Sequence, residues 1–108
     1  MFKIIGITDD VTTCDCCGKT NLKKTVVLDT GADVVYYGVD CAATALRGSK
    51  KAKSEIEWIA QWISKAHNWL EKGYTIEQVC KGMNNQAVPA EIKDGVLGIW
   101  VNRQWQAL

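Results

Sequence analysis

The chain has 108 residues and a formal net charge of +1. This length fits one domain, so we expect a single domain over 1–108, with a first part over 1–48 and a second over 49–108. Hydrophobic residues make up 47% and charged residues 23%, which excludes a wholly disordered or fibrous chain. The near-neutral charge lacks the basic excess of a dedicated DNA-binding domain.

The N-terminal segment MFKIIGITDD holds too short an apolar stretch for a signal peptide. No window of the sequence approaches the roughly 18 apolar residues that a membrane span needs. We therefore expect a cytoplasmic protein without membrane contact. In a reducing compartment, the five cysteines indicate a metal site or buried thiols rather than disulfides.

The N-terminal half predicts three strands. Residues 2–8 form an Ile-rich run that ends in polar residues, which is typical of a short strand. Residues 25–28 and 34–37 are β-branched or aromatic, and the segment DTGAD between them supplies turn residues. The two runs therefore predict a β-hairpin.

Three helices are expected after the hairpin. A short one over 41–47 has Asp40 placed as its cap and Gly48 as its stop. The segments S-E-I-E from Ser54 and T-I-E-Q from Thr75 each match a capping box, in which side chains satisfy unpaired backbone amides. They predict a long helix to about residue 72 and a third helix to about residue 83.

The segment after Pro89 is ambiguous. The apolar spacing of Ile92, Val96 and Ile99 suits a helix, whereas residues 96–101 can equally form a strand, because the glycines weaken both assignments. We favour the helix. The expected fold is α+β: a small zinc-stabilised β-hairpin packed on a mostly helical C-terminal half.

A cysteine cluster is the main chemical signal in the sequence. Cys14 and Cys17 have C-x-x-C spacing, which places two sulfurs on one side of a tight turn that Gly18 permits. Cys41 lies at an expected helix N-terminus, where unpaired amides and the helix dipole favour the thiolate that binds metal. The three residues therefore predict a structural zinc site.

The order of knuckle, β-hairpin and ligand-bearing helix over residues 14–47 resembles the treble-clef class of zinc fingers. That resemblance implies a fourth ligand three residues after Cys41, where this chain has Thr44. Four other residues are candidates for the fourth ligand, and we favour the first of them: Cys16, Asp40, His67 and Cys80. Three ligands within four residues would strain the turn at Cys16, whereas Asp40, His67 and Cys80 each have an alternative role, as a helix cap, a core or flanking histidine and a core thiol respectively.

Enzymatic function is not expected. The C-x-x-C motif also occurs in dithiol oxidoreductases, but there it opens a helix after a strand, and here Gly18 and a polar stretch follow it. The chain has one histidine, no Gly-rich phosphate loop and no Ser-His-Asp order. A zinc ion held by three or four cysteines is typically structural.

The long helix carries a second apolar stripe. At 100° per residue, Trp58, Trp62 and Trp69 lie about 110° from the ordinary core face. Either the C-terminal segment, with Trp100 and Trp105, covers this stripe, or part of it is exposed and binds a partner protein, since Trp is enriched at binding hot spots.

Two binding functions follow from these features. The first is a protein-interaction module that presents the Trp-bearing helix, with an oligomeric state that the sequence leaves open. The second is a nucleic-acid-binding zinc-finger regulator, for which Lys50, Lys51 and Lys53 are the candidate contacts beside further basic residues near the finger: Lys19, Lys23, Lys24 and Arg47. The near-neutral net charge favours the first.

The segments CDCCGKTNLKKTVVL and YYGVDCAA are similar to those of small phage and bacterial proteins of unassigned function with a predicted zinc finger. The resemblance covers about the first half of the chain. It implies a mobile-element setting, in which short proteins often inhibit a host complex, as anti-CRISPR and other anti-defence inhibitors do.

Overall fold

A computed structural model describes residues 2–101 and 103–108. Within these residues the fold is α+β, as expected, with two small antiparallel sheets and three α-helices. The elements in chain order are β1 (Lys3–Thr8), β2 (Thr25–Asp29), β3 (Val34–Tyr37), α1 (Val39–Arg47), α2 (Lys53–Glu71), α3 (Ile76–Asn85), β4 (Ala90–Lys93), β5 (Val96–Val101) and β6 (Gln104–Ala107). None of the helices among the described residues has the length and apolar character needed to cross a membrane.

The chain divides into two compact units, Met1–Gln61 and Trp62–Leu108, with the boundary inside α2. The first unit contains the sheet β1-β2-β3 and helix α1. The second contains helix α3 and the sheet β4-β5-β6. The expectation of one domain over 1–108 concerns whether these units unfold together, and it stays a prediction.

The predicted β2–β3 hairpin is confirmed. Val26 pairs with Tyr37 and Leu28 with Val35 in an antiparallel register. In the connecting turn, the carboxylate of Asp29 accepts a hydrogen bond from the Gly31 amide at 2.8 Å. Alternation along the strands buries one face of the sheet, which contributes three fully buried apolar side chains to the core of the first unit: Ile4, Val26 and Leu28.

Helix α1 starts earlier than expected, and the assignment of Asp40 as its cap is wrong. The cap position is Gly38, no side chain caps the helix, and Asp40 lies in the first turn. The backbone enters the helical conformation at Val39 because the carbonyl of Gly38 already accepts the Ala42 amide at 2.9 Å. The end is as predicted: Gly48 adopts a left-handed conformation, φ 71°, that closes the helix.

Ser54 does not cap the long helix. A 3₁₀ turn over Lys50–Ala52 precedes α2, and the hydroxyl of Ser49 accepts the Lys51 amide at its start. Because this turn runs directly into α2, Ser54 is already the second residue of the helix. The capping box at Thr75 is confirmed, with reciprocal hydrogen bonds between Thr75 and Gln78 at the start of α3.

The helix favoured after Pro89 is wrong, because the structure has three strands there. Asp94 and Gly95 both have positive φ, 52° and 77°, and form a two-residue turn between β4 and β5. Asp-Gly favours this kind of hairpin turn, so the signal was present in the sequence. The burial of Leu97, Ile99 and Val101 follows the period of a strand, with one face buried.

Two tryptophans pair across the other face of this second sheet. Trp100 is opposite Trp105 in the register, and the Nζ of Lys93 lies 4.3 Å from the Trp100 ring centroid. The Trp105 ring lies over Gly98, and a Cβ atom at that glycine would collide with it. The sheet therefore requires glycine at this position for side-chain packing.

We expect Gly98→Ala to lower the free energy of unfolding by about 1–3 kcal/mol, the usual cost of overpacking. Urea unfolding followed by circular dichroism measures the change. In a Trp105→Ala background, which removes the ring but leaves the backbone carbonyl of Gln106 close to the new Cβ atom, the same substitution should cost less than in the wild-type protein without becoming neutral. An equal cost in both backgrounds would contradict the packing explanation.

Candidate metal centre

The first two cysteines lie in a tight knuckle. The amide of Cys14 donates to the carbonyl of Lys19 at 2.9 Å, and the amide of Gly18 donates to the carbonyl of Cys14 at 2.9 Å. Gly18 has φ 76°, a left-handed conformation that glycine adopts without steric cost. The turn that the C-x-x-C-G sequence predicts is therefore formed.

Asp15 attaches the knuckle to the sheet. Its amide donates to the carbonyl of Tyr36 at 2.8 Å, and its carboxylate accepts a hydrogen bond from the amide of Tyr36 at 2.8 Å. Tyr36 lies in β3, and the chain runs directly from β3 into α1. This pair of hydrogen bonds places the knuckle beside the start of the helix that carries Cys41.

Gly38, between β3 and α1, permits a close approach to the knuckle. It is buried, and a Cβ atom there would lie 3.2 Å from Cδ1 of Leu22 and 3.9 Å from the sulfur of Cys14. A Cβ atom there would press on Leu22, whereas its distance to Cys14 is an ordinary van der Waals contact. Cys41 follows as the third residue of α1.

The structure brings the three predicted cysteines together. The sulfurs of Cys14, Cys17 and Cys41 all lie within 4.8 Å of one another. A tetrahedral zinc ion with Zn–S bonds of about 2.3 Å separates its sulfur ligands by about 3.8 Å, so small side-chain rotations suffice. The cluster can hold a metal ion.

The fourth ligand is not supplied at the position that the treble-clef resemblance implies. The side chain of Thr44 is exposed, and its hydroxyl donates to the carbonyl of Asp40 at 3.0 Å. Among the described residues, no fourth cysteine, histidine or carboxylate lies within 4.8 Å of all three sulfurs. The role of Cys16, which is exposed, as the fourth ligand stays a prediction.

The other candidates for the fourth ligand occupy different settings. Asp40 is exposed, and its carboxylate lies 4.0 Å from the Nζ of Lys53. Cys80 and His67 belong to the second unit. Cys80 is partly buried, and burial raises the pKa of its thiol, against a hydrogen bond from Asn84 that lowers it.

The thiols of the cluster differ in acidity. Burial opposes ionisation of Cys14, but hydrogen bonds from the backbone at Cys17, Gly38 and Cys16 lower its pKa to about 7. Burial raises the pKa of Cys41 to about 12, together with its contacts to the neighbouring thiols. Of these two thiols, Cys14 therefore ionises first, and its charge opposes ionisation of Cys41, since adjacent thiolates repel one another.

A cavity of about 460 Å³ adjoins the cluster within the first unit. All three cysteines line it, together with residues from the knuckle loop, α1 and α2. Its charged lining residues are Lys19, Lys23, Lys24, Lys50, Asp40 and Glu57. The sequence indicated the lysines only as a basic set near the finger, and nothing in it indicated that Glu57 shares their cavity.

Three of the predicted basic residues are paired with acids: Lys24, Arg47 and Lys53. The guanidinium of Arg47 makes two hydrogen bonds of 3.1 Å to the carboxylate of Glu55. The Nζ of Lys24 lies 3.4 Å from the carboxylate of Glu57. Lys51 is exposed within the 3₁₀ turn. These ion pairs reduce the positive charge that the segment presents to solvent.

The three tryptophans of α2 have different environments. Trp58 is 41% exposed, whereas Trp62 is only 7% exposed. In the second unit, the rings of Trp62 and Trp69 meet edge to face, with centroids 5.6 Å apart, and Trp69 also contacts Tyr74. The predicted partner-binding stripe thus contains one exposed ring and two rings that take part in packing.

Comparisons with protein-family models, with curated proteins and with solved structures find no match to this chain.

Proposed function

We propose that this chain is a non-enzymatic protein-interaction module whose first unit is stabilised by a zinc ion. The convergence of three cysteine sulfurs within 4.8 Å is the observation that carries the metal assignment. Thiolates are soft ligands that zinc binds tightly, and cysteine-only sets are typical of structural zinc sites.

The cluster joins segments that are far apart in the chain. Cys14 and Cys17 belong to the knuckle, and Cys41 belongs to α1 after the β2–β3 hairpin. The knuckle residues 15–20 are exposed, so burial of apolar surface contributes little to their order. A metal ion bonded to both segments would supply the missing stabilisation, because binding free energy becomes folding free energy when the site forms only in the folded state.

Trp58 supports an interaction with another protein. Its 41% exposure on α2 contrasts with the full burial of Ile56, on the core side of the same helix. An exposed tryptophan offers a large apolar area at low entropic cost, which is why this residue is common at binding hot spots. Trp58 is therefore the proposed anchor for a protein partner.

Nucleic-acid binding is the second candidate, and the ion pairs weigh against it. Arg47 and Lys24 are paired with Glu55 and Glu57, and the net charge is only +1. A phosphate backbone would have to compete with these carboxylates.

The cytoplasmic location stays a prediction. The inhibitor role that the resemblance to phage proteins implies also stays a prediction.

Removal of zinc should destabilise the protein. At a metal concentration about 1,000 times the dissociation constant, linkage contributes about 4 kcal/mol, which a strong chelator should remove. Thermal unfolding with and without chelator measures this effect. Cys14→Ser, Cys17→Ser and Cys41→Ser should each lose the metal, as measured by elemental analysis.

Cys80→Ser is the matched control, because Cys80 lies in the second unit and is expected to leave metal content unchanged. An identical melting temperature for metal-loaded and metal-free protein would contradict the structural role of zinc.

Metal affinity should fall as the pH falls. The pKa of Cys41 is raised to about 12, so its proton must leave on metal binding throughout the range from pH 6 to 8. The pKa of Cys14 is lowered to about 7, so a second proton competes only below that pH. We expect affinity to drop at least about tenfold per pH unit above pH 7 and at least about 100-fold per unit below it. Competition with a chromophoric chelator measures the slope, and a constant affinity from pH 6 to 8 would refute this account.

Trp58→Ala should abolish partner capture and leave stability nearly intact, because the ring is partly exposed. Loss of a hot-spot tryptophan costs about 2 kcal/mol or more, about a 30-fold loss of affinity. Pull-down from a nuclease-treated lysate, followed by titration with the captured protein, measures this. Tyr74→Ala is the control, since Tyr74 is an aromatic residue of the second unit that is 51% exposed.

Equal capture by the Trp58→Ala and wild-type proteins would contradict the proposed interface. Capture that disappears with nuclease treatment alone would favour nucleic-acid binding instead.

A further inference from the structure

The cysteine cluster forms part of the wall of a cavity that is large enough for a small molecule. Cys14, Cys17 and Cys41 all line this space of about 460 Å³, which is within the range of ligand-binding pockets. A metal ion held by the three sulfurs alone would have one coordination position left. A ligand in this cavity would therefore lie next to the metal.

The charges around the cavity favour an anion. Its two lining carboxylates each have a basic partner: Glu57 lies 3.4 Å from Lys24, and Asp40 lies 4.0 Å from Lys53. Three further lining lysines have no carboxylate within 4.0 Å among the residues that the structure describes: Lys19, Lys23 and Lys50. The cavity thus has an excess of positive charge beside the sulfurs.

Apart from Cys16, the nearby side chains that could close the site are engaged elsewhere. The hydroxyl of Thr44 donates to the carbonyl of Asp40, and the two cavity carboxylates lie close to lysines. An external oxyanion can instead accept hydrogen bonds from several ammonium groups at once. Lysine is a common phosphate-binding residue, and charge-assisted hydrogen bonds are the stronger class.

We propose that the cavity binds a phosphate group, one oxygen of which completes the coordination of the metal held by Cys14, Cys17 and Cys41. The ammonium groups of Lys19, Lys23 and Lys50 bind its remaining oxygens. This site rests on the proposed metal centre, and it gives the interaction module a small-molecule or phosphorylated ligand. The volume of the cavity exceeds that of one phosphate, so it has room for a phosphate group that is part of a larger ligand.

The experiment uses the full chain loaded with Co²⁺, whose electronic spectrum reports thiolate bonding and coordination geometry separately. Inorganic phosphate is titrated at constant ionic strength, with acetate as a parallel arm. We expect a sulfur-to-cobalt charge-transfer band before addition and a saturable change in the d–d bands with phosphate. Lys23→Gln and Lys50→Gln should each weaken phosphate binding about tenfold, the loss of one charge-assisted hydrogen bond.

Lys81→Gln is the matched control, because Lys81 is an exposed lysine of the second unit. Phosphate affinity should be unchanged in this variant. A larger response to acetate than to phosphate would overturn the phosphate assignment, and so would equal affinities in the Lys23, Lys50 and Lys81 variants.

Failure of this proposal differs from failure of the metal centre. A charge-transfer band with d–d bands that phosphate leaves unchanged overturns the phosphate site and leaves the metal centre standing. If phosphate leaves the d–d bands unchanged but the Cys16→Ser substitution changes them, Cys16 is the fourth ligand. Absence of the charge-transfer band overturns the metal centre itself and the phosphate site with it.

Discussion

Two hydrogen bonds between Asp15 and Tyr36, each 2.8 Å long, hold the cysteine knuckle against strand β3. The knuckle has few buried side chains of its own, so this attachment decides where Cys14 and Cys17 lie. Because β3 leads through Gly38 directly into α1, the same attachment sets the distance to Cys41. The three-sulfur cluster and the adjoining cavity both depend on this local geometry.

The sequence predicted the features that depend on neighbouring residues. Gly18 closes the knuckle with the left-handed conformation expected of it, and Thr75 forms its capping box, because both interactions span only a few residues. The three metal-binding candidates were likewise predictable, since C-x-x-C spacing is local and Cys41 belongs to the helix that follows the hairpin. Cysteines clustered around a glycine turn are not needed for packing, so these residues stood out in the sequence.

The wrong secondary-structure predictions arose where a second local interaction competed with the one that the sequence pattern indicated. Ser54 matched a capping box, but Ser49 caps the 3₁₀ turn that runs into α2. After Pro89, a helical spacing concealed an Asp-Gly turn, and the side chain of Asn84 hydrogen-bonds both the amide and the carbonyl of Ala90 at the start of β4. The cavity was beyond sequence reasoning altogether, because Lys19, Lys50 and Glu57 meet only in the folded chain.

Tertiary contacts also change the meaning of the charges. The basic residues after Cys41 suggest a nucleic-acid surface when read in sequence, yet Arg47 is bound to Glu55 in the fold. Lys19, Lys23 and Lys50, which have no carboxylate within 4.0 Å among the described residues, instead share a cavity with the cysteines. In the first unit, the lysines and the three cysteines thus line the same cavity, while Trp58 is exposed on α2 and is not among the residues that line it.

The central claim is that Cys14, Cys17 and Cys41 bind one metal ion together. X-ray absorption at the zinc edge of the zinc-loaded protein tests it most directly. The account predicts a shell of at least three sulfur atoms at about 2.3 Å, which loses sulfur in Cys41→Ser. A shell made only of oxygen and nitrogen atoms would contradict it.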